Sequence, residues 1–344
     1  MFRISFSILL IVLCFTVNPT VSQVTHGGGK GMLRIYEADT ITPGNFYVNS
    51  LFQAYATRID GIQHALAEFY TLNAGLTLGL SRSFEMFTHL VPYQDDQRHI
   101  WGPPGDASIG LKYAMIHYAR PAQCALVAYT TFPTGQTHPV PYATFSSEGV
   151  GIAMIGAFSY NFKKTVAAFP LKVTLNVGWK DHDLGDNFVN ETDQLLGGFG
   201  FKFPVRSSLL YTELTGEVFV NQSDVAFLHN SLRITQGVKF LGLSNIVFDI
   251  AADFEFANYT PTNAQKNAKP RFWEDYADWQ IMVGATYRWT LFRKWDKSVQ
   301  QAENQQRKEE QKQDKIRKKR KKVLEELERY KKKLKEEKKK DIPF

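Results

Sequence analysis

Hydrophobic and polar positions alternate through residues 279–291. Trp279, Ile281, Val283, Ala285, Tyr287, Trp289 and Leu291 share one face of an extended chain. Gln280, Gly284, Thr286, Arg288 and Thr290 share the other, with Met282 as the exception. Strand side chains point to the two faces in turn, so this is a strand with one apolar and one wet side. Aromatics at both ends of the apolar face, backed by an Arg, suit a strand set between lipid and a polar lumen.

The pattern recurs along the chain. It predicts strands over 45–58, 67–80, 83–93, 107–119, 122–132, 148–162, 168–180, 192–203, 207–221, 231–241, 245–257 and 278–292. Leu171, Val173, Leu175, Val177 and Trp179 oppose Lys172, Thr174, Asn176 and Lys180; Ile246, Phe248, Ile250, Ala252, Phe254 and Phe256 oppose Asn245, Asp249, Asp253 and Glu255. Each segment reaches the roughly 9–11 residues that a tilted strand needs to cross a bilayer. Connections alternate in length. Those around 94–106, 133–147, 181–191 and 259–277 are long and rich in Asp, Asn, Pro and Gly, whereas 81–82, 120–121, 204–206 and 242–244 are tight. Outer-membrane barrels sort their connections in this way, with short turns on the periplasmic side. The fold class expected is all-β, a transmembrane antiparallel β-barrel of about twelve strands.

A soluble sandwich or lipocalin-like barrel also alternates. Twelve apolar faces exceed what one small core can bury, and left in water they would aggregate. The opposite faces carry small residues, Gly75, Gly79, Gly178, Gly198 and Gly200, together with charges of both signs. The lumen-facing candidates are Lys112, Lys172, Lys202, Arg233, Lys239 and Arg288 against Glu213, Glu217, Asp249, Asp253, Glu255 and Asp278. Charges held away from bulk water must be paired or hydrated. Two readings stay open, structural pairing across the interior or a solvated path whose opposed charges orient small polar solutes. About twelve strands lie between barrels filled by side chains and wide channels, so a narrow pore or ligand cavity fits the size.

The ends of the chain change the picture. Arg3, an apolar run from Ile4 to Val17 and small residues at Thr20 and Ser22 read as a secretory signal over 1–22. Cys14 falls inside that signal, which leaves Cys124 as the only thiol of the exported chain. Residues 23–43, with Gly27, Gly28, Gly29 and Gly31, read as a flexible periplasmic lead-in to a barrel over 44–293. A phosphate-binding loop would need a Lys-Ser or Lys-Thr ending that this stretch lacks. From Lys297 onward there are about 19 Lys or Arg against about 10 Asp or Glu, an excess larger than the whole chain's +7. The barrel is therefore near neutral, and no basic surface for nucleic acid is expected. Residues 294–344 read as a Lys-rich periplasmic helical or coiled-coil tail, with Val323, Leu327, Tyr330 and Leu334 on one seam. A basic tail of this kind suits contact with peptidoglycan or another anionic periplasmic surface.

Two short elements carry a family resemblance. The run from Gly105 to Tyr113 (Gly-Asp-Ala-Ser-Ile-Gly-Leu-Lys-Tyr) and Thr131-Phe-Pro-Thr-Gly135 are similar to motifs of the meta-pathway phenol-degradation-like outer-membrane barrel transporters. The resemblance implies a barrel and the uptake of small compounds, aromatics included, and carries no catalytic residue. The basic tail departs from that family's pattern. Gly284, Tyr287 and Trp289 resemble the signal by which barrel-assembly machinery recognises a last strand, although Met282 stands where a polar residue is usual.

Catalytic and metal chemistry find little footing. His229-Asn230-Ser231 has the His-x-Ser spacing of outer-membrane phospholipase without its surroundings, and Asp95, Asp96 and His99 sit in a polar connection. No cofactor and no enzymatic activity are expected. The expected function is a narrow pore or transporter for small solutes in the bacterial outer membrane, with lipid and the assembly machinery as partners. The alternative is a structural barrel that grips the cell wall through its tail.

Overall fold

The computed structural model describes residues 23–58, 66–94, 102–115, 120–135, 149–166, 169–185, 193–205, 207–220, 230–241, 245–256 and 279–291, with residues 316, 323 and 325–327 of the tail. The chain divides into two units, Met1–Arg293 and Lys294–Phe344. In the second, the described residues Ile316, Val323, Glu325, Glu326 and Leu327 are helical. The seam residues Tyr330 and Leu334 lie outside the described residues, as do the signal over 1–22, Asp278, His229, Asp95, Asp96 and His99.

In the first unit, twelve strands form one closed barrel. They are β1 (Asn45–Arg58), β2 (Leu66–Gly79), β3 (Phe84–Gln94), β4 (Ala107–Met115), β5 (Ala122–Phe132), β6 (Gly151–Asn161), β7 (Lys172–Asp181), β8 (Gln194–Val205), β9 (Ser208–Phe219), β10 (Ser231–Phe240), β11 (Ile246–Glu255) and β12 (Trp279–Thr290). Each pairs antiparallel with its neighbour in sequence. β1 closes on β12, from Asn45 opposite Thr290 to Tyr55 opposite Gln280. Closure leaves no strand edge, so every strand finds partners on both sides. A bulge interrupts the β2–β3 register between Leu72 and Ala74.

Side chains sort as the alternation predicts. On β12, Trp279, Ile281, Val283, Tyr287 and Trp289 are exposed outward, while Gln280, Met282 and Thr286 are buried inward. Leu175 and Val177 on β7, and Phe248, Ile250 and Phe254 on β11, continue the apolar outer face. Cys124 is exposed on β5. The connection expected over 204–206 is tight, but it is confined to residues 206–207: Pro204 and Val205 remain in β8, opposite Leu209 and Ser208 of β9. Proline tolerates this because it sits at the strand's end, where the ladder is finishing.

The lead-in is the main departure from expectation. Residues 23–43 are not a free periplasmic approach to β1. The described segment lies inside the barrel, with Met32, Leu33, Ile35, Ala38 and Ile41 buried. Its apolar residues form three contacts with the inner wall. Met32, Leu33 and Ile35 pack with Leu51, Leu209, Tyr211, Ala251 and Met282. Tyr36 and Ala38 pack with Phe87, Ala125, Val127 and Ile155. Val24 and Ile41 pack with Tyr47 and Val247. Composition pointed to flexibility, but the glycines serve two other purposes. Gly28 and Gly29 have φ of 85° and 80°, the left-handed region that a side chain disfavours, and they turn the segment back on itself. Gly28 also approaches the wall so closely that an added Cβ would lie 2.8 Å from Cβ of Phe87.

Candidate functional site: a plugged lumen and its vestibule

The inserted segment, or plug, holds its own shape by local bonds. Thr25 N–H donates to Gly29 O at 2.8 Å, His26 N–H to Leu33 O at 2.8 Å and Met32 N–H to Ile35 O at 3.0 Å. Among the described residues, no backbone hydrogen bond joins residues 23–41 to a strand. Barrel side chains meet the plug's main chain instead. Both oxygens of Glu213 face its tip, and this carboxylate accepts from the N–H groups of Leu33 (2.8 Å), Arg34 (3.0 Å) and Ile35 (3.1 Å). Asn176 reads one residue from both sides, accepting from Tyr36 N–H and donating to Tyr36 O, each at 2.8 Å. Ser159 accepts from Ala38 N–H at 3.0 Å. Glu85 accepts from Lys30 N–H and Ile41 N–H, both at 2.7 Å. Lys239 donates to Met32 O at 2.9 Å, and Asn49 to His26 O at 3.2 Å. Buried main-chain groups must be paired, and this lumen pairs them without a ladder.

Charge is matched as well. Arg34 Nη2 lies 2.5 Å from Asp253 Oδ2, and its Nη1 donates to Thr235 Oγ1 at 3.1 Å. Glu37 is bonded by both Lys172 and Lys202, and Asp39 by Lys172 and Lys30. Lys202 also reaches Gln23 Oε1 at 2.9 Å. Two further pairs belong to the wall: Lys112 with Glu85 at 2.6 Å, both fully buried, and Lys239 with Asp249 at 2.8 Å. Ions of either sign withdrawn from water must find partners close by, and here plug and wall supply each other's.

The sequence-predicted lumen residues therefore separate into groups. Lys112, Lys172, Lys202, Glu213, Lys239, Asp249 and Asp253 gather around the plug. Arg233 is buried with Nη1 4.0 Å from Asp253, and its Nε donates to Ser231 Oγ at 2.9 Å. Glu255 is half-buried opposite Arg233. Arg288 stands apart near the short-turn end, donating to Asn245 Oδ1 at 3.1 Å. Glu217 lines a cavity instead. Gly284 is buried on the inner face, with Tyr287 and Trp289 outside.

Alternation puts Asn176 on the polar face beside Lys172 and could likewise have found Glu85 and Ser159 at inward positions, but it carries no sign that these three would meet another segment. Lys30, Arg34, Glu37 and Asp39 were invisible because nothing in an irregular segment says which wall it will meet. One signal was available. Gly198 and Gly200 are inward on one strand, and an added Cβ on Gly200 would sit 2.4 Å from Cε of Met32. These small residues make room for contents, not for water.

Above the plug, toward the long connections, lies a cavity of about 200 Å³. His26, Arg34 and Tyr36 of the plug form its floor. His89, Tyr129, Lys180, Asp106 and Glu217 stand among its walls, with Ile155 and Leu196 as apolar lining. His26 Nδ1 bonds Leu33 O at 2.9 Å, so that nitrogen carries the proton. His89 Nε2 lies 3.0 Å from Asn73 Oδ1, and the two imidazoles meet edge to face with centroids 5.7 Å apart. Among the described residues no cluster of three or more His, Cys, Asp or Glu could hold a metal ion. The vestibule is thus a small polar chamber with both charges and an apolar side, and it ends on the plug.

No family model matches the chain, and no curated protein matches it. Solved structures do resemble it. An outer membrane channel from Pseudomonas putida F1 shares 9% identity, with 75% of this chain and 100% of that chain covered at a TM-score of 0.50. The KdgM porin, solved in complex with disordered oligogalacturonate, shares 6% identity over 69% of this chain and 98% of its own, at a TM-score of 0.42. At such identities the likeness to the Pseudomonas channel is one of fold, a closed antiparallel β-barrel.

Proposed function

We propose that this protein spans the bacterial outer membrane and passes small polar solutes through a narrow lumen that its own N-terminal segment closes at rest. The observation that carries the reading is the division of each strand into an apolar outer face and a polar inner face that opens on a vestibule. An exterior of Phe, Leu, Ile, Val and Trp has water as a poor solvent and hydrocarbon as a good one. A lumen lined by both charges suits solutes that are polar without a large net charge. The likeness in fold to an outer membrane channel is consistent with this. The earlier resemblance to the phenol-degradation-like transporters would add aromatic compounds as a solute class, and Tyr36 and Tyr129 in the vestibule give such a ring something to stack on.

Planar-bilayer recording of the full-length folded protein is the test. Brief, low-conductance openings are expected, becoming more frequent when the plug is loosened. A barrel that inserts yet stays electrically silent, in both wild type and a loosened variant, would remove the channel reading. Export through the 1–22 signal, delivery by the assembly machinery through Gly284, Tyr287 and Trp289, and a periplasmic tail belong to the same proposal. A second reading, in which the barrel anchors the basic tail to peptidoglycan, is compatible with an occupied lumen and has a separate test. Salt-sensitive co-sedimentation of the full-length protein with purified cell wall would support that role, and its absence would discard it.

A further inference from the structure

We propose that the plugged part of the lumen is a peptide-binding site. Residues 23–41 occupy it in cis, and short extended peptides bearing both charges are the solute class it takes when that segment withdraws. The inference rests on the channel reading and gives its site a ligand.

The plug is held as a bound peptide would be held. With no backbone bond to a strand among the described residues, it can depart without unzipping a ladder. The groups that grip it read features common to all peptides. Asn176 takes the N–H and the C=O of one residue, and Glu213 takes three successive amides. A side chain cannot alter those contacts, so they tolerate any sequence apart from proline at the donating positions. Charge selectivity is added by Asp253 for a cationic residue and by Lys172 and Lys202 for an anionic one. If the plug left, these buried ions and acceptors would lose the partners it supplies, which favours refilling with a chain of matching polarity over an empty pore. The vestibule adjoins the plug's tip through Arg34 and Tyr36, so an incoming peptide from the long-connection side would meet the site directly.

The tethered segment competes at an effective concentration of order mM, so the wild-type site is masked. The test uses the full-length chain in detergent, as wild type and as the double variant Arg34→Ala, Glu37→Ala, which weakens the plug and leaves the wall intact. Two fluorescent peptides are titrated and read by anisotropy: the sequence of residues 23–41, and an unrelated sequence of equal length with the same numbers of Lys, Arg, Asp and Glu. Both are expected to bind the variant at least tenfold more tightly than wild type. No gain for either peptide overturns the proposal. A gain confined to the native sequence also overturns it, because the site would then serve only its own plug. Should the double variant fail to fold, judged by strand circular dichroism and heat-modifiable mobility, Ile35→Ala loosens the plug without touching a charge, and the same outcomes apply. Binding needs no conductance. A conducting barrel that ignores peptides sinks this proposal alone, whereas a silent barrel that binds them sinks the channel reading alone.

Discussion

The two parts of the lumen are lined by the same kinds of residue and do different things with them. Around the plug, Lys172, Lys202, Glu213 and Asp253 are each committed to a group of residues 23–41. In the vestibule, Lys180, Asp106 and Glu217 border about 200 Å³ of space. Composition does not distinguish the parts; occupancy does. A charged inner face is thus a poor guide to whether a barrel is open, since the same charges hydrate a path or bind a plug.

Several substitutions would break or sharpen that contrast. The largest effect is expected from Glu213→Ala, which strips three plug amides of their acceptor at about 1–3 kcal/mol for each left unpaired. Hydrogen exchange at residues 33–35 should accelerate by at least about a hundredfold, and channel openings should multiply; unchanged exchange would show that the carboxylate is no clamp. Next comes the outer wall. Ile250→Arg places a charge on the outer face near the middle of β11, and in lipid vesicles it should lower unfolding stability by about 2–4 kcal/mol. An effect near zero there would argue that this face does not meet hydrocarbon. Gly200→Leu invades the space of Met32 and should cost about 1–3 kcal/mol of strain or expel the plug. Thermal unfolding combined with proteolysis of the N-terminal segment separates the two. Lys180→Ala should act least on the fold, within about 0.5 kcal/mol. It should still shift the reversal potential toward cations if the vestibule lies on the conducting path.

Much of the barrel was legible because one physical rule repeats along it. A strand between two solvents must alternate, and β1 (Asn45–Arg58) and β5 (Ala122–Phe132) fall where alternation put them. Strand ends were less legible. The stretch 168–180 keeps its pattern, but β7 starts only at Lys172, since alternation carries no mark for where pairing begins. The plug was not legible at all. Its chain has no period, its glycines look like a linker, and its four charges acquire meaning only beside Asp253, Lys172 and Lys202, far away in sequence. Gly198 and Gly200 were seen as small inward residues, but smallness does not name what fills the gap.

The bond between Leu33 and Glu213 spans 180 positions of sequence. A chain synthesised from its N-terminus exposes Met32, Leu33 and Ile35 long before the acceptor that will receive them exists. Contacts so remote in sequence form late. Through that interval an apolar patch travels unshielded, and a holdase that binds the unfolded chain would have a hydrophobic handle there.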